Sequence, residues 1–223
     1  VPGHKTDKQD SARICKLLLA GLLKPSYIPA REQRELRDLT RFRTKMIQNV
    51  ASQKNRIIRI LEDCNIKLSS VVSNTHGVVA TKLIHKLCEG HSITMVDIDE
   101  VYHKRLEVSK SDLYEACQGL MDEHHIYLLK LIRQDIASTE AVIENLNVWI
   151  KEMLSGYDNV LENLRAIPGL GHKTVEDLVA EIGLDMSVFP TEKHLSSWAG
   201  MCPGNNESAG KKKADAPTTA TNR

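Results

Sequence analysis

The chain has 223 residues, 41% of them hydrophobic and 26% charged, with a formal net charge of +1; that supports one good core, or two small ones joined by a long helix, in an ordinary soluble globular class. Aromatic residues make up only 4%, so any core is built from Leu, Ile and Val, and a base-stacking surface for single strands is disfavoured. No apolar run reaches the length of a membrane span and no signal peptide is visible, while five scattered cysteines without a CxxC pair (Cys15, Cys64, Cys88, Cys117, Cys202) suit a reducing cytosol.

In chain order, residues 1–7 read as a loop broken by Pro2 and Gly3, with Thr6 or Asp7 as a helix N-cap. Residues 10–23 are amphipathic, with Ile14, Leu17, Leu18 and Leu22 on one face. Gly21, Pro25 and Pro29 mark a connection. A long helix is predicted over 30–64, its apolar positions Leu36, Leu39, Met46, Val50, Ile57 and Ile60 following a three-four spacing that Arg43 and Gln53 interrupt. Residues 69–98 read as shorter helices and loops punctuated by Gly77 and Gly90. A second long helix is predicted over 110–155. Its seam (Leu129, Ile132, Ile136, Thr139, Ile143, Leu146, Ile150, Met153) favours a coiled-coil hairpin or a dimer, with a long helix in an ordinary bundle as the alternative. Residues 161–183 read as helix, glycine turn, helix, and a short helix begins near Thr191. From Pro203 onward the chain is polar and without periodicity.

Charge is unevenly spread. From Lys24 to Lys67 eleven Lys or Arg face five acids, whereas 122–162 is acidic. Arg34, Arg37, Arg41 and Lys45 recur at spacings of three or four, which puts them on one helical face suited to phosphates; a solvated helix face has the same signature. Cys88 and His91 would make half of a zinc site, for which the sequence offers no second pair.

Three short stretches carry chemistry. In Ile167-Pro168-Gly169-Leu170-Gly171-His172-Lys173-Thr174, two glycines permit a tight turn and let backbone N–H groups approach a phosphate. The following helix aims its positive dipole end at that phosphate and Lys173 adds a cation. Such contacts are blind to sequence, and a tight hairpin without ligand has the same residues. At the other end, Asp7 and Asp10 stand three residues apart at a helix start, where they could share one divalent cation or simply cap the helix. Finally, Ser208 lies in a loop of small residues (Pro203-Gly204-Asn205-Asn206-Glu207-Ser208-Ala209-Gly210), followed by Lys211, Lys212 and Lys213, cations that could neutralise a phosphate.

Together these pieces resemble the DEDD-type insertion-sequence transposases related to the Piv DNA invertase, over nearly the whole chain. Pro2-Gly3-His4-Lys5-Thr6-Asp7-Lys8-Gln9-Asp10 is similar to the end of their RuvC-like domain. Residues 34–41 with Lys54-Asn55-Arg56 resemble their basic helical region. The run 167–183, Leu195-Ser196-Ser197-Trp198-Ala199-Gly200 and 203–211 resemble their C-terminal transposase domain. The resemblance implies a mainly α chain in four parts. These are the end of a RuvC-like α/β domain (1–29), a basic helical region (30–109), a coiled-coil-like long helix (110–157), and a C-terminal domain with a helix-hairpin-helix and a serine loop (158–223). It further implies that Asp7 and Asp10 are the last two acids of a Mg²⁺-binding quartet and that Ser208 attacks a DNA phosphodiester. Nucleic acid would be held by Gly169, Gly171, Lys173, Thr174, Arg34, Arg37, Arg41, Lys211 and Lys212. DNA, a structured guide RNA and further copies of the chain are the implied partners, in the cytoplasm of a bacterial or archaeal cell.

The chain departs from the family pattern in three ways, one of them at its far end, where Thr218-Thr219-Ala220-Thr221-Asn222-Arg223 resembles the start of a further segment that is cut short. The first Asp and the Glu of the quartet fall upstream of Val1, so two lone carboxylates should hold Mg²⁺ poorly and the polypeptide by itself should be inactive. Ser11 stands where the family commonly has Ala. Two other functions compete with the recombinase reading: a non-catalytic nucleic-acid-binding module, and a structural coiled-coil protein whose hairpin merely packs.

Overall fold

In a computed structural model, the structure describes residues 7–23, 28–72, 74–75, 77–103, 106–201, 207–208 and 211–212, the last four by backbone alone. The protein is mainly α. Its order is α1 (Asp7–Leu19), α2 (Arg31–Asp63), α3 (Leu68–Val71), α4 (Val78–Cys88), α5 (Met95–Val101), α6 (Lys110–Ala116), α7 (Glu123–Met153), α8 (Asp158–Arg165), α9 (His172–Ile182), a 3₁₀ turn (Met186–Val188), α10 (Glu192–Trp198), β1 (Glu207–Ser208) and β2 (Lys211–Lys212). No helix among the described residues is long and apolar enough to cross a membrane. The chain divides into two compact units, one of residues 1–34 with 181–223 and one of residues 35–180.

The unit of residues 35–180 is organised by α2 and α7. Gln53 Nε2 donates to Asp135 at 2.6 Å, Lys54 pairs with Glu140 at 3.3 Å and Arg43 Nη1 donates to Asn147 at 3.4 Å. Rising numbers on α2 thus meet falling numbers on α7, and the two helices run antiparallel. The heptad seam of α7 is consumed within the chain: Leu129, Ile132, Thr139, Leu146 and Ile150 are buried, and Ile136, Ile143 and Met153 are half-buried. Leu129 and Ile150 are fully enclosed, each burial stabilising by roughly 1.5–3 kcal/mol.

Two apolar clusters lie along this pair. The larger gathers Ile57, Ile60 and Leu61 of α2, Leu83, Ile84 and Leu87 of α4, Ile98, Leu113, and Leu129 and Ile132 of α7. The second joins Leu36, Leu146, Ile150 and Leu154 to Leu161 of α8 and to Val175, Val179 and Ala180 of α9. Both are aliphatic, as the low aromatic content requires.

The predicted continuous helix over 110–155 is broken. α6 stops at Ala116 and α7 begins at Glu123. A Cβ on Gly119 would fall 2.3 Å from the Cys64 carbonyl oxygen and 2.6 Å from Ile66 Cγ1. Only glycine allows that approach, and the neighbouring Leu120 N–H donates to the same carbonyl at 3.0 Å. Asp122 then opens α7 by accepting from the His125 N–H at 3.0 Å.

In the unit of residues 1–34 and 181–223, α1 is shorter at its C-terminus than the amphipathic stretch 10–23 suggests. Gly21 adopts a φ of 67°, and the Leu22 N–H donates back to the Leu17 carbonyl at 3.0 Å, a left-handed glycine stop that leaves Leu22 outside the helix. Gly183 follows α9 with a left-handed φ of 82°, and the Gln33 side-chain amide lies against it. Phe189 and Trp198 pack edge to face, 5.7 Å between centroids. β1 and β2 pair antiparallel, Ser208 opposite Lys211 and Glu207 opposite Lys212. The irregular loop predicted there therefore contains a short backbone ladder, with Ala209 and Gly210 between the strands lying outside the described residues.

Candidate nucleic-acid interface

The stretch 167–174 forms the connection between α8 and the start of α9. Leu170 donates to the Ile167 carbonyl at 3.1 Å to close a tight turn, and Gly169 takes a φ of 91° that side-chain-bearing residues rarely adopt. The turn is anchored from inside. Leu161, Val175 and Val179 are buried, and Leu164 and Leu170 pack against them. Its outer side is open: Gly169, Gly171, His172, Lys173 and Thr174 are exposed, and a Cβ on Gly169 or Gly171 would meet nothing within 4 Å. The free N–H groups and positive dipole end of this 11-residue helix therefore sit behind bare backbone with a lysine beside them, an arrangement able to receive an oxyanion.

On α2, Arg34 and Arg41 are exposed and Arg37 is half-buried. Their i, i+3, i+7 spacing puts them on one helical face. Arg43 does not belong to that stripe. Its side chain is 1% exposed, and it donates through Nη1 to Glu176 and through Nη2 to Asp177 at 2.8 Å, both on α9. Sequence reasoning treats Arg43 as an interruption of an apolar repeat; the structure shows it occupying a core position as a charged link. The signal that marks it is an arginine in apolar register combined with an acidic pair one turn into a distant amphipathic helix.

Asp7 and Asp10 lie in the exposed first turn of α1. Among the described residues no three His, Cys, Asp or Glu side chains converge in a way that would hold a metal ion. The Cys88–His91 half-site does not form either. Cys88 is buried at 2% exposure, burial foremost pushes its thiol above the ordinary value, and the His91 side chain is 71% exposed. Burial likewise raises the Cys117 thiol to about 12 and the Cys64 thiol upward, so these three are structural hydrophobes rather than nucleophiles. Ser208, Lys211 and Lys212 are brought together at the level of the backbone by the β1–β2 ladder.

Residues 161–223, which contain α9, the ladder and Ser208, match the family model described as Transposase IS116/IS110/IS902 family. Residues 1–66, which contain Asp7, Asp10 and all of α2, match a DEDD model of the IS110 elements described as Transposase. The two stretches together make up more than half of the chain. No curated protein and no solved structure matches it. With matches at both ends, the chain belongs to the DEDD-type insertion-sequence transposases of the IS110/IS116/IS902 family.

Proposed function

We propose that this chain is the DNA-engaging part of a transposase that cuts and rejoins strands through a serine nucleophile. The observation that carries the reading is the open N-terminal end of α9, where exposed Gly169, Gly171, Lys173 and Thr174 sit on an apolar anchor. In this reading the turn is a helix-hairpin-helix that grips one backbone phosphate, and Arg34, Arg37 and Arg41 follow further phosphates along α2. Both contacts position DNA without reading its bases. A structured RNA offers the same phosphate chemistry, and assembly into dimers or tetramers would bring two DNA ends together.

Chemistry falls to the two ends of the chain. Ser208 Oγ would attack a phosphodiester phosphorus; the Oγ–P bond forms, the bond from phosphorus to one sugar oxygen breaks, and that oxygen leaves as a hydroxyl after gaining a proton. Lys211 and Lys212, paired with the Ser208 strand through the ladder, supply positive charge for the phosphoryl oxygens. Asp7 and Asp10 offer hard carboxylate oxygens of the kind Mg²⁺ takes together with substrate phosphates. Bound there with the remaining acids of a RuvC-like fold, the ion would supply charge neutralisation at the phosphodiester. DNA as substrate sets the workplace as the cytoplasm of a bacterial or archaeal cell.

The test is duplex binding by fluorescence anisotropy over a salt series, with wild type compared to Gly171→Glu and Lys173→Ala. Gly171 has a negative φ and open space around its Cβ direction, so glutamate fits the fold while placing a negative charge at the phosphate position. Both variants are expected to bind more weakly to duplexes of unrelated sequence alike, and Lys173→Ala to lower the salt slope by about one. Unchanged affinity in both variants would overturn this interface.

A further inference from the structure

Lys173 stands three and four residues before Glu176 and Asp177 on α9, the spacing at which helical side chains of opposite charge meet. Yet among the described residues Lys173 has no carboxylate partner and is exposed. Both acids are instead turned to Arg43: Glu176 is 16% exposed, Asp177 is 41% exposed, and the arginine they share is 1% exposed. The guanidinium divides its donors between the two carboxylates, Nη1 to Glu176 and Nη2 to Asp177, in the fixed planar fork that a compact ammonium lacks. Asn147 of α7 receives a third Arg43 donor contact at 3.4 Å, so the arginine is fixed from α7 as well as from α9.

We propose that Arg43 is a positioning residue for nucleic-acid recognition, which holds Glu176 and Asp177 against α2 and thereby leaves Lys173 free to meet a phosphate. The inference rests on the reading of the α9 end as a phosphate contact. Two uncompensated carboxylates one turn behind that end would oppose an incoming polyanion and would capture Lys173. Arg43 prevents both while touching no nucleic acid itself. A purely structural salt bridge would hold the helix but would have no bearing on the charge presented at its tip.

The experiment uses the full chain and a duplex oligonucleotide of arbitrary sequence, with far-ultraviolet circular dichroism and thermal melting as fold controls. Arg43→Gln is expected to weaken binding on the order of tenfold and to reduce the salt slope by about one, because Lys173 is withdrawn from phosphate. Adding Glu176→Gln and Asp177→Asn removes the acids and is expected to restore both affinity and slope. A folded Arg43→Gln with wild-type affinity overturns the proposal, and so does a loss that the triple variant fails to recover, since that is the mark of a structural role alone. If Arg43→Gln does not fold, Arg43→Lys takes its place, with intermediate affinity expected and wild-type affinity contradicting. Gly171→Glu and Lys173→Ala separate the two claims: if both leave binding unchanged the α9 interface itself fails, whereas a failure confined to Arg43 leaves that interface standing.

Discussion

Gly119 meets the carbonyl oxygen of Cys64 so closely that a Cβ would stand 2.3 Å from it. That approach ends α6, admits the Leu120 N–H to the same carbonyl, and hands the chain to α7. The obstruction is backbone oxygen and the Ile66 side chain, neither of which can swing aside. Gly119→Ala is therefore expected to destabilise the protein by about 1–3 kcal/mol, measured as a lower urea midpoint with an unchanged slope. Wild-type stability would mean that the 117–122 connection is soft enough to move away.

Asp97 closes a capping box at the start of α5: the Thr94 N–H donates to it at 2.8 Å, while the Asp97 N–H donates to the Thr94 hydroxyl at 3.4 Å. The Lys86 ammonium foremost, then the Thr94 hydroxyl and N–H, hold its carboxyl well below the usual aspartate range. Because the folded state favours the ionised form, this contribution is complete above the unfolded value, near pH 4, and is lost as pH falls below it. Urea midpoints of wild type and Asp97→Asn should differ near pH 7 and converge towards pH 2. Parallel curves across that range would contradict the assignment.

The basic face of α2 makes a prediction about salt. Replacing Arg34, Arg37 and Arg41 together by Gln should weaken duplex binding uniformly across sequences and lower the slope of log affinity against log salt by about three, close to one per lost phosphate contact. Half-buried Arg37 has packing to lose as well, so its single variant should also lower thermal stability, whereas exposed Arg34 should not. A slope unchanged by the triple replacement would assign these arginines to solvation alone.

Much of this arrangement is legible in the sequence because it is local. Three-four spacing marks α2 to within a residue of its observed limits, Arg31–Asp63, and the seam of α7 is the face that the protein buries. Glycine-bounded turns mark the start of α9 and its end at Gly183. What the sequence hides depends on distant partners. The break before α7 follows from a carbonyl 55 residues away in the chain at Cys64, with only Gly119 and the N-cap Asp122 as local hints. Arg43 and Gln53 read as faults in an apolar repeat, yet each meets an acid on another helix, Arg43 on α9 and Gln53 on α7. Such polar exceptions specify which register and orientation an apolar seam adopts, and no periodicity can announce their partners. The roles proposed for Asp7, Asp10 and Ser208 rest on motif resemblance; spacing alone offers equally a helix cap and a polar loop.

Serine attack is tested most directly by trapping. A complete transposase of this sequence, incubated with Mg²⁺ and end-labelled element DNA and then denatured, should yield a protein–DNA adduct that retains the label through boiling. In Ser208→Ala the adduct and strand transfer should both vanish while duplex affinity stays at the wild-type level. An adduct that persists in Ser208→Ala, or strand transfer at the wild-type rate without this serine, would contradict the account.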